Sequence, residues 1–168
     1  QAECLTGLAT NGFYLTPEIS RLLVEERLDF TTFNLEEIPA AEGENRRMSS
    51  ELHQILEQIQ HLIDLKKSLK CEKPSVRLSL FMTRLNMGSL SRVVSAAATL
   101  GADEVFFKNL DYLPEDRWNI LRTFYHESPT PAFQDAVDDI LRLRREMKIA
   151  VRCSPLKTEE IPVCKAEP

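Results

Sequence analysis

The sequence predicts an α/β fold: a parallel sheet of about five strands with helices packed outside. Apolar, β-branched runs alternate with stretches of helical periodicity in the order β-α-β-α-β-α-β-α-α-β. Parallel pairs need crossover connections, so this alternation favours a parallel sheet. The strand-like runs are apolar enough to be buried, and each stops at a polar turn. The first unit, Leu5 to Glu36, shows the whole pattern: strand, polar loop, helix, strand.

The elements follow in order. Leu5–Thr10 is a short strand ended by Asn11-Gly12, a pair that tolerates positive φ. Thr16-Pro17-Glu18 opens a helix through its cap, its first-turn proline and its acidic first turn, with Ile19, Leu22 and Leu23 as the apolar stripe. Strand character returns over residues 29–35. Residues 40–47 form a polar loop, and Ser49 or Ser50 caps a long helix whose stripe is Leu52, Ile55, Leu56, Ile59, Leu62, Ile63 and Leu69. Residues 76–83 read as a buried strand, ending in a loop with Arg84 and Asn86. Ser89 is expected to cap the next helix, with Leu90, Val93, Val94, Ala97 and Leu100 inside and Gly101 as its left-handed end. A strand over 104–108 leads to a loop with Asn109, Asp111 and Tyr112. A short helix follows from Pro114 to Phe124, then one after Thr130-Pro131 with Phe133, Val137, Ile140 and Leu141 along it. Arg142, Arg144 and Arg145 near its end read as dipole compensation and solvation. The last strand spans 148–153. Residues 1–154 are read as one domain and 155–168 as a tail or the start of an extension. An open doubly wound sheet and an incomplete barrel both satisfy this order.

Composition limits the partners. A chain of 168 residues, 43% hydrophobic and 28% charged, suits one globular domain. The net charge of -5 gives no reason to expect nucleic acid or an anionic membrane. No apolar run reaches the roughly 18 residues of a membrane span, and Gln1-Ala2-Glu3-Cys4 does not start a signal peptide, so a cytoplasmic location is expected. The chain starts without Met and is read as a piece of a longer parent. Cys4, Cys71, Cys153 and Cys164 make no CxxC pair and read as reduced thiols. His53, His61 and His126 have no ligand spacing, and no GxGxxG, GxxxxGK[ST] or GxSxG follows a strand.

Chemistry in parallel sheets gathers at the carboxyl ends of the strands. Those ends carry Asn11, then Asn34 with Glu36, then Arg84 with Asn86, then Lys108 with Asn109 and Asp111. Such an amide-rich rim can hold a small molecule bearing hydroxyl, amino and carboxylate groups. Asparagines also gather there because they make good turns.

Leu8-Ala-Thr-Asn-Gly-Phe-Tyr-Leu-Thr-Pro-Glu-Ile19 resembles the third strand and helix start of radical S-adenosylmethionine (radical SAM) enzymes. Residues 28–36 resemble their fourth strand, with Asn34-Leu35-Glu36-Glu37 in place of the usual Ser-Leu-Asp-Gly. Asn45-Arg46-Arg47 before a long helix, the strand ending near Asn86, and Leu100-Gly-Ala-Asp-Glu-Val-Phe-Phe107 continue the series. The resemblance covers roughly residues 3–112. It implies an incomplete parallel (β/α) barrel, a [4Fe–4S] cluster and S-adenosylmethionine as cofactors, and a small-molecule or peptide substrate. It places Asn34 near the ribose or methionine part of the cofactor and Arg46 or Arg47 near its carboxylate. Asn11, Glu36 and Asn86 lie around the same rim. Cys164 resembles the first cysteine of a SPASM-type extension and is the one metal-ligand candidate. The family's CxxxCxxC loop and Gly-Gly-Glu-like segment do not occur in this sequence. The chain alone is therefore expected to assemble no cluster, to bind S-adenosylmethionine weakly and to catalyse nothing, while its parent acts as an oxidoreductase. Its open first strand is expected to favour a homodimer or aggregation. A non-catalytic α/β module binding a small molecule or protein through the same rim is the alternative.

Overall fold

The computed structural model describes residues 4–35, 50–109 and 131–153. The loop over 40–47, the helix expected from Pro114 to Phe124, the packing of Phe133 and the 155–168 tail lie outside the described residues, as do Glu36, Arg46, Arg47 and Cys164. Strands β1 (Gly7–Thr10), β2 (Phe30–Asn34), β3 (Ser75–Met82), β4 (Glu104–Asn109) and β5 (Ala150–Cys153) form one sheet. All neighbouring pairs are parallel, and strand order equals chain order. Helices α1 (Pro17–Glu25), α2 (Ser50–Ser68), α3 (Leu90–Leu100) and α4 (Pro131–Met147) alternate with the strands.

That order decides between the two sheet types. A doubly wound sheet reverses its strand order to place helices on both faces. Crossovers of one hand without reversal put every helix on the same face. Burial agrees. Thr31, Phe33, Val76, Leu78, Leu80, Met82, Val105, Phe107 and Val151 alternate along the strands and are buried with the helices' Leu23, Val24, Ile59, Leu62, Val93, Val94, Ala97, Val137 and Ile140. The intervening residues, among them Asn34, Arg77, Ser79, Phe81, Glu104, Lys108 and Arg152, line the other face. The protein is an incomplete parallel (β/α) barrel with an unclosed sheet: helices outside, a polar inner face opposite. The stretch 76–83, expected as a buried strand, corresponds to β3, with Val76, Leu78, Ser79, Leu80 and Met82 buried, and only Phe81 is exposed.

Local signals act largely as the sequence predicts. Thr16 caps α1, its Oγ1 accepting from the Ile19 N–H at 3.3 Å, with Pro17 in the first turn. Gly101 ends α3 at φ 91°, a left-handed conformation that glycine adopts without strain. Some faces differ. In α1 the buried stripe is Ser20, Leu23 and Val24, while Ile19 and Leu22 are exposed. In α2, Lys66 is buried because its Nζ reaches the Asp103 carboxylate at 2.9 Å, and Leu69, just past the helix end, is exposed. In α4, Leu141 is exposed. Ser89 does not cap α3 through its side chain. A 3-10 turn (Met87–Ser89) precedes the helix, and the Ser89 hydroxyl donates back to the Asn86 carbonyl at 2.9 Å.

Candidate functional site

The inner face has two levels. At the amino ends of the strands, side chains lace all five strands together. The Phe30 ring covers Gly7 so closely that a Cβ added there would lie 2.3 Å from ring carbons. The Arg77 guanidinium stacks over the same ring, 4.1 Å from its centroid. Glu104, buried, faces two arginines. Arg152 donates to it from Nε and Nη2, the latter at 2.9 Å, and Arg77 Nε lies 3.1 Å away, though not aligned for a hydrogen bond. The Glu104 carboxylate holds the Arg152 pKa above its ordinary value, first by hydrogen bonding and then by charge. The charged groups of this level face one another, with Arg77 Nε left without a hydrogen-bond partner.

At the carboxyl ends the arrangement is open. Lys108 extends from β4 across β3 and donates from Nζ to Asn34 Oδ1 on β2 at 2.9 Å. The same ammonium lies 5.7 Å from the centroid of the Phe81 ring, a large apolar side chain 47% exposed. Ser79, register partner of both Asn34 and Phe106, lies on the strand that Lys108 crosses. It is 2% exposed, and its hydroxyl has no hydrogen-bond partner. Arg77, Lys108 and Arg152 set three cations against the single carboxylate of Glu104 on the described inner face, in a chain of net charge -5.

The expected rim residues separate into two kinds. Asn34 is exposed on the inner face and faces Lys108. Asn11 is exposed but shapes its own turn, its Oδ1 accepting from the Phe13 N–H at 3.1 Å beside Gly12 at φ 86°. Asn86 closes the loop after β3: Oδ1 accepts from the Thr83 N–H and Nδ2 donates to the Phe81 carbonyl, both at 2.8 Å. Sequence reasoning named Lys108 on the rim but passed over Ser79. The usable signal was the period-two spacing of Arg77, Ser79 and Phe81, and of Glu104, Phe106 and Lys108, which marks one polar face on each strand.

Among the described residues no three His, Cys, Asp or Glu side chains gather as metal ligands. Cys4, Cys71 and Cys153 are free and lie apart in the chain: Cys4 precedes β1, Cys71 follows α2 and Cys153 ends β5. Cys153 packs against the helix-side core, and burial pushes its thiol pKa up, away from the thiolate that ligates iron. The described residues therefore do not fit an iron–sulfur cluster. No described helix is long and apolar enough to cross a membrane.

The fold and face define a class: an incomplete (β/α) barrel with a polar inner face. Similarity to known proteins is distant. The chain is 26% identical over 113 residues to the tungsten-containing aldehyde ferredoxin oxidoreductase cofactor-modifying protein of Pyrococcus furiosus. The match takes 67% of this chain and 32% of that protein, so the chain spans about a third of this curated relative. A solved structure from Anabaena variabilis, named a sugar phosphate isomerase/epimerase, superposes with a TM-score of 0.48 at 14% identity, covering 93% of this chain and 55% of that one. No protein-family model matches.

Proposed function

We propose that this chain is the later part of a radical-SAM-type barrel. Its parent would reductively cleave S-adenosylmethionine to act on a substrate, with the cluster-binding segment outside this sequence. The observation that carries the reading is Asn34. It ends the strand where the sequence resemblance places a cofactor-contacting polar group, and it projects beside Lys108 on the face opposite the described helices. The unreversed strand order and the distant similarity to a cofactor-modifying protein support the same reading. Arg46 or Arg47 would pair with the cofactor carboxylate, a task for a bidentate guanidinium, and Glu36 would contribute to the rim that Asn34 ends. Asn11 and Asn86 would act by holding the rim's turns.

The test uses the full-length parent, reconstituted anaerobically with iron and sulfide and reduced in the presence of S-adenosylmethionine. The expected result is 5′-deoxyadenosine together with methionine. A loaded cluster without either product would contradict the reading and favour a non-catalytic binding module.

A further inference from the structure

We infer that the carboxyl-end level of the inner face is a binding site for a small organic carboxylate, centred on Lys108 and Ser79. This rests on the inner face being the ligand-bearing face, as proposed above, but not on the identity of any cofactor.

Three observations converge. Lys108 has no carboxylate partner among the described residues; its ammonium is held in place by a neutral amide oxygen and lies over an aromatic ring. An ammonium carries three donors, and Asn34 takes one. Beside it, on the strand Lys108 crosses, the Ser79 hydroxyl is buried without a partner. Buried polar groups are ordinarily hydrogen-bonded; of the unpartnered hydroxyls among the described residues, Ser20 and Thr31 lie on the helix side, and Ser79 lies on the face that carries Lys108, where a ligand atom reaching the enclosed oxygen would complete its bonding. The third is Phe81, which offers an exposed ring next to the cation. A ligand with an anionic head and an apolar body satisfies all three at once.

The donor set favours a carboxylate over a phosphate. One ammonium and one hydroxyl suit a singly charged group with two oxygens. A phosphate is usually cradled by several backbone N–H groups of a glycine-rich loop at a helix start, and the sequence has no such motif. Arg77 and Arg152 add a positive background but are tied to Glu104, so they attract the anion without gripping it.

The experiment is an NMR titration of the 168-residue chain, without cofactor, following the backbone amides of Asn34, Ser79, Phe81 and Lys108. The probes are phenylacetate, its neutral analogue phenylacetamide, and inorganic phosphate. Phenylacetate is expected to shift these four resonances saturably, and phenylacetamide is not. Lys108→Met should weaken phenylacetate at least tenfold, Ser79→Ala about threefold, and Lys108→Arg should retain most of the affinity. Absence of saturable shifts, equal response to phenylacetamide, or unchanged affinity in a folded Lys108→Met chain would overturn the inference. Tighter binding of phosphate than of phenylacetate would overturn the carboxylate assignment. If Lys108→Met fails to fold, the comparison of the two probes on the native chain decides alone. Because no cofactor is present, failure here leaves the 5′-deoxyadenosine result of the parent untouched.

Discussion

Two acidic side chains outside the inner face show how single residues hold this fold. Asp103, just before β4, accepts from the Val76 N–H at 2.7 Å and from the buried Lys66 ammonium at 2.9 Å, pinning α2 to the edge between β3 and β4. Removing the carboxylate would leave Lys66 unpaired in an apolar setting. Asp103 is half exposed, so the penalty is below that of a fully buried pair. Asp103→Ala should destabilise by about 2 kcal/mol, read as a lower urea midpoint. Asp29 plays the corresponding part before β2. A hydrogen bond from Lys73 and then one from the Thr6 N–H lower its pKa from 3.8 to about 2. The folded value lies below the unfolded one, so the stabilisation is complete above pH 4 or so and is lost as pH falls from there towards 2. Stability measured across that window should decline less steeply in Asp29→Asn than in the native chain. An identical slope would mean that the Lys73 contact does not persist in solution.

At the scale of elements, packing on the inner face sets the tolerance for change. Gly7 has no room for a Cβ because the Phe30 ring covers it. Gly7→Ala should displace that ring and with it the Arg77 stack, costing about 1–3 kcal/mol by overpacking. Thermal denaturation checks this. Thr16→Ala, by contrast, loses one capping bond at α1 and should cost about 1 kcal/mol.

The same elements show what was legible beforehand. Strand and helix positions follow from punctuation: Asn11-Gly12, Thr16-Pro17 and Gly101 act locally, and their conformations come from their own chemistry. Helix faces were less legible. Ile19, Leu22 and Leu23 satisfy helical spacing as well as Ser20, Leu23 and Val24 do, and only tertiary contact chooses between them. Lys66 is buried only because Asp103, distant in sequence, stands beside it. The inner face was hidden for a related reason. Val76 to Met82 is apolar on average, and Arg77 and Ser79 become meaningful only once the register sets them beside Glu104 and Asn34.

For the whole molecule, sheet order is the controlling fact. Five strands in chain order leave two edges, β1 and β5, each paired on one side among the described residues. Parallel strands with free N–H and C=O groups invite pairing with another chain. On the proposed reading β1 receives a preceding strand in the parent, so the chain by itself should associate through that edge. Light scattering is expected to show dimers or larger species at high concentration, and a persistent monomer would argue that the edge is protected.

The inner face is the other molecular-scale consequence, and Asn34 joins it to the proposed chemistry. The most direct measurement is the affinity of the reconstituted full-length parent for S-adenosylmethionine, compared between the native protein and Asn34→Ala. Loss of one hydrogen bond of about 1 kcal/mol predicts a five- to tenfold weaker complex with the cluster still loaded. Unchanged affinity in a folded, cluster-loaded Asn34→Ala protein would contradict the placement of the cofactor at this strand end.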